Sequence, residues 1–120
     1  MTNMNITRHD PGARFCRAVS YNGVVYLAGM TADDTSGDVV AQTKDTLAKI
    51  DRYLKMSGTD NSKLLSATIW LRDIADFALM NSAWDSWVDK GNMPVRATVE
   101  ARLASDAIRV EIMVVAVAGA

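Results

Sequence analysis

The stretch Ile108-Arg109-Val110-Glu111-Ile112-Met113-Val114-Val115-Ala116-Val117 is apolar almost throughout and rich in β-branched residues. The apolar run Ile112 to Ala118 falls far short of the roughly 20 residues that cross a bilayer, so it predicts a strand buried inside a sheet. One residue conflicts with that environment. Glu111 lies between Val110 and Ile112, where an unpaired carboxylate is costly unless it has a partner or a task.

Such a strand needs neighbours. Arg96–Leu103 reads as one, joined to the terminal strand by a polar turn around Ser105-Asp106. Asn22-Gly23 suits the positive φ angles of a tight hairpin turn, which makes Phe15–Tyr21 and Val24–Ala28 paired strands. Leu64–Leu71 is short, bounded by polar clusters and carries Thr68, Ile69 and Trp70, again a strand pattern.

Two helices separate these strands. From Asp38, a plausible N-cap, Val40, Thr43, Leu47, Ile50 and Leu54 recur at steps of three and four until Gly58, so they share one helix face. Thr31–Gly37, just before it, is a loop of turn formers and acids. The second helix spans Ile74 to Val88, with Phe77, Met80, Trp84 and Trp87/Val88 on one stripe and Asp73, Asp76 and Asp85 facing water. Gly91 and Pro94 end it.

The order β-β-α-β-α-β-β predicts an α+β fold: one mixed β-sheet with two helices packed on one face. The other face then needs a cover. Apolar strand residues left on it predict association with further copies of the chain.

At 120 residues and 49% hydrophobic content, the chain can bury a core as a single domain over residues 1–120, with residues 1–12 as a flexible N-terminal segment. A formal charge of -1 provides no global field toward nucleic acid or an anionic membrane, and neither partner is expected. Met1 to Gly12 lacks the apolar run of a signal peptide. Cys16 is the only cysteine, so no intrachain disulfide can form and a cytoplasmic location is expected. It reads as a small buried hydrophobe.

Common catalytic motifs are absent: no phosphate-binding glycine loop, no His-Glu-x-x-His, no nucleophilic triad. His9, the lone histidine, reads as a solvated surface residue, and neither metal nor cofactor is expected. Attention falls on Arg96, Thr98, Glu100 and Arg102, which alternate onto one side of their strand. On pattern alone, Glu111 forms an ion pair with Arg96, Arg102 or Arg109 at the sheet rim. The functional alternative has Arg96 binding a small anion bidentately while Glu111 orients a water or shuttles a proton.

Several pieces, in order and spacing, resemble the Rid (YjgF-like) family of enamine and imine deaminases. They are Gly23–Gly29, Gln42-Thr43, Ser66–Phe77, Asn81, Pro94-Val95-Arg96, Val99–Leu103 and Val110-Glu111-Ile112, and the likeness runs from about Phe15 to Val117. It implies a chorismate-mutase-like subunit in a homotrimer with clefts between subunits. It also implies that Arg96 holds the carboxylate of a small imine or enamine substrate, that Glu111 helps activate water, and that Phe15, Ala28, Gly29, Met30, Asn81 and Thr98 shape the cleft.

The resemblance has departures. Phe15 replaces a tyrosine, Ala28-Gly29-Met30 stands for Ser-Gly-Gln, Thr98 for a cysteine and Met113 for a glutamate. Relatives also suggest other readings: a ligand-binding or chaperone-like trimer, an endoribonuclease or translation inhibitor, or an aminomuconate-type deaminase.

Overall fold

The computed structural model describes residues 5–118. In chain order they form β1 (Thr7–Pro11), β2 (Cys16–Tyr21), β3 (Val24–Leu27), α1 (Val39–Met56), β4 (Leu64–Leu71), α2 (Phe77–Trp87), β5 (Val95–Glu100) and β6 (Val110–Val117). The sheet order is β1-β2-β3-β6-β4-β5, so β6 is interior as its composition predicts. Val110, Ile112, Val114 and Ala116 are fully buried, while Glu111, Met113, Val115 and Val117 alternate to the opposite face.

The sheet is mixed. β4 and β5 run parallel and the other pairs antiparallel; a parallel pair needs a crossover, which α2 supplies. Asn22 and Gly23 take φ of 53° and 79°, the geometry that lets β2 turn directly into β3. Leu47, Ile50 and Leu54 of α1 and Met80 and Trp84 of α2 join the buried row of β6 in one core. Each such aliphatic side chain contributes about 1.5–3 kcal/mol by leaving water.

Asp38 caps α1, its carboxylate accepting from the Ala41 N–H at 2.9 Å, and Gly58 follows the helix end at φ 80°. Val39 takes the buried position expected of Val40, which is only half-buried. The second helix starts later than its pattern suggests. Asp73 accepts from the Ala75 N–H and holds Ile74–Asp76 in a 3-10 turn, so the α-helix begins at Phe77. β5 ends at Glu100 rather than Leu103.

The N-terminal expectation is corrected for residues 7–11; residues 1–4 lie outside the described part. β1 pairs with β2 along its length, and the Tyr53 hydroxyl donates to Asp10 at 2.6 Å. His9 is partly buried, its Nε2 3.3 Å from Ser20 Oγ, and Cys16 is partly exposed rather than buried.

Gln42 ties the loop before α1 to the entry of β6. Fully buried, its Nε2 lies 3.0–3.1 Å from the carbonyls of Thr35, Gly37 and Ala107, and its Oε1 accepts from the Arg109 N–H at 2.9 Å. Gln42→Leu keeps the bulk and strands those main-chain groups, so urea unfolding should show a loss of about 3 kcal/mol. A variant as stable as the wild type contradicts this role.

The face away from the helices stays open. Tyr26, Val95, Val99, Met113 and Val117 are exposed, an apolar surface of the kind that another protein surface covers.

Candidate functional site

β5 and α2 build the first half of the site. Register pairs Ala67 with Arg96 and Ile69 with Thr98; Ala67 and Ile69 are buried toward the helices, so Arg96 and Thr98 share that face. On α2, Phe77, Asn81, Trp84 and Asp85 fall on one side at helical spacing. The Arg96 guanidinium stacks 5.3 Å from the Trp84 ring centre and 5.7 Å from that of Phe77.

This aromatic seat has an electrostatic consequence. Burial pulls the Arg96 pKa below the ordinary guanidinium value, while the Asp85 carboxylate works the other way. The group stays cationic. Among the described residues Arg96 makes no ion pair; those present join Lys49 and Arg52 to Asp33, and Arg72 to Asp106. Its donor fork is free for an anion.

Arg96 lines a cleft of about 320 Å³ together with Asn81, Trp84, Asp85, Met93 and Pro94. Asn81 Oδ1 and Thr98 Oγ1 are buried without a hydrogen-bond partner. Such orphaned atoms cost about 1–3 kcal/mol each, a cost that a ligand or a neighbouring chain removes by supplying the missing partner.

Glu111, the other charge that the sequence singles out, lies apart from this cleft. It projects from the open face of β6, level with Trp70 of β4, and among the described residues it has neither hydrogen bond nor cation partner. The expected ion pair with Arg96, Arg102 or Arg109 is not made. Gly29 presses against the carboxylate instead: a Cβ there would overlap Glu111 Oε2 and stand 3.2 Å from Cδ. Paired main-chain hydrogen bonds between Met30 and Ile112, 2.8 and 2.9 Å long, clamp this segment to β6.

The structure thus separates the expected residues into groups. Arg96, Asn81 and Thr98 gather on the helix face, and Glu111 and Gly29, with half-buried Ala28 beside them in sequence, gather elsewhere. Phe15 is 55% exposed, with the Arg17 guanidinium over its ring. Met30 joins neither group, since its side chain is fully buried in the core. Asp85 is exposed, as its place on the water-facing side of the helix predicts, and it also borders the Arg96 cleft; its spacing of four residues from Asn81 is the signal that links them.

Within one protomer, Arg96 and Glu111 cannot meet. Their register positions differ by three residues along β4, and their strands lie on either side of it. That is about 10 Å along the strands and about 10 Å across them, with the sheet between the side chains.

A protein-family model described as Endoribonuclease L-PSP matches residues 5–118. The chain belongs to this YjgF/RidA family. A RutC family protein of Haemophilus ducreyi is 47% identical to this family member over 111 residues, covering 92% of this chain and 95% of the other. NMB1025 of Neisseria meningitidis, a YjgF-family crystal structure, superposes with a TM-score of 0.95 at 44% identity, covering 98% of both chains. A more distant YjgF/RidA relative, the rat 2-iminobutanoate/2-iminopropanoate deaminase, is 29% identical over 111 residues, 88% of this chain and 80% of that one.

Proposed function

We propose that this chain is a cofactor-independent deaminase that hydrolyses small 2-imino acids, formed from enamines such as 2-aminoacrylate, to 2-oxo acids and ammonia. The observation that carries the reading is the pair of unsatisfied charges: an Arg96 fork on an aromatic seat and a Glu111 carboxylate against Gly29. The deaminase name of the distant rat relative supports the same class.

Arg96 holds the substrate carboxylate and fixes the C=N carbon. Glu111 takes a proton from the attacking water and returns it to the carbinolamine nitrogen; that nitrogen leaves as ammonia and picks up the hydroxyl proton, so that iminium plus water becomes the oxo acid plus ammonium. An imine is already electrophilic, and positioning plus a proton transfer worth about 10²–10⁴-fold suffices.

Because the two groups lie on opposite faces, the complete site takes Arg96 from one copy and Glu111 from another. A closed ring with head-to-tail interfaces does this while covering the apolar open face. We assign that ring as a homotrimer with its clefts between subunits.

The test generates 2-iminopropanoate in situ with an amino-acid oxidase and traps what is left with semicarbazide. The expected result is less semicarbazone as protein is added. Unchanged trapping across several imino acids removes the deaminase reading and leaves a ligand-binding protein.

A further inference from the structure

The Arg96 cleft carries a second charge. Asp85 borders the same cavity as Arg96, one helical turn beyond Asn81 on α2. Among the described residues, the ion pairs include neither Arg96 nor Asp85, so the two charges face one cleft without closing on each other. Buried Asn81 Oδ1 adds an acceptor with no partner.

We propose that Asp85 is a specificity-determining residue that makes this cleft select ligands bearing a cationic or N–H-donating nitrogen beside a carboxylate. The inference rests on the deaminase reading and deepens it. A 2-iminium acid or a 2-amino acid satisfies both charges: its carboxylate meets Arg96, and its nitrogen donates toward Asp85 and Asn81. A 2-oxo acid presents only a carbonyl oxygen there. It offers Asp85 no donor and meets its negative charge instead. Hydrolysis converts the first kind of ligand into the second, so the residue that favours substrate also favours product release.

The two halves of this behaviour separate in a binding experiment on the assembled protein. 2-Aminobutanoate and 2-oxobutanoate, close in size, are titrated by calorimetry into wild type, Asp85→Asn, Asp85→Glu and Arg96→Ala. The wild type should prefer the amino acid by about 10-fold or more, the scale of one charge-assisted hydrogen bond. Asp85→Asn should lose most of that preference and bind the oxo acid more tightly, whereas Asp85→Glu, which keeps the charge, should retain it.

Arg96-dependent binding of both ligands with no preference in the wild type, or with a preference that Asp85→Asn leaves intact, overturns the role of Asp85 alone. Binding that Arg96→Ala does not weaken, or no binding of either ligand, overturns the carboxylate-gripping reading of Arg96 and this inference with it. Asp85 is exposed on α2, so both of its variants should fold, and unchanged thermal unfolding confirms that the readout is binding.

Discussion

Arg96→Ala is expected to lower kcat/KM for 2-iminopropanoate hydrolysis by about 10³-fold, since it removes a desolvated, charge-assisted grip of the order of 4 kcal/mol. The stacked position on Trp84 and Phe77 explains why so much depends on one group. A planar guanidinium set over the rings can still direct a fork of donors at a carboxylate, which an ammonium does less well. Arg96→Lys should therefore recover only part of the loss. The ring contacts are made from a half-buried position, so the fold should survive, as thermal unfolding can check. An Arg96→Ala protein within a few-fold of wild type would remove this residue from the mechanism.

Gly29→Ala should also damage turnover, for a different reason. The new methyl group occupies the place of the Glu111 carboxylate. The carboxylate ends a flexible side chain and can swing aside, so stability should change little while the water loses its base. The expected loss is about 10²-fold in kcat, with KM changed far less, as for a general-base defect. Combining Gly29→Ala with Glu111→Gln should add little to either single loss, because both act through one carboxylate. Losses that multiply would mean that Gly29 serves the ligand by another route.

The legible parts of this fold are those with strong local patterns. The terminal strand reads from its apolar run, the first hairpin from Asn22-Gly23, and α1 from Asp38 and its stripe; each appears within a residue or two. β1 is missed because Thr7-Arg8-His9-Asp10-Pro11 is a polar edge strand, where charge and proline guard an unpaired edge and no apolar alternation marks it. The start of α2 is blurred because Ile74–Asp76 belongs to a capped 3-10 turn that shares the composition of a helix.

Site legibility divides along the same line. Glu111 stands out because a charge interrupts an apolar strand, and alternation alone puts Arg96 and Thr98 together. Which sheet face each occupies depends on the non-local registers of β4 with β5 and β6, which no short window contains. Met30 shows the same difficulty at close range. It sits next to Gly29, yet its side chain turns into the core while Gly29 meets Glu111.

If Arg96 and Glu111 act from different copies, mixing two inactive variants should rebuild working sites. Arg96→Ala and Glu111→Gln proteins, each inactive, are dissociated, mixed in equal amounts and reassembled, then assayed by the semicarbazide trap. In a closed ring, roughly a quarter of the interfaces then join an intact Arg96 to an intact Glu111, and about that fraction of wild-type activity should return. A mixture that exchanges subunits and stays as inactive as its parents would show that one protomer must supply both residues, in contradiction to their placement on opposite faces of the sheet.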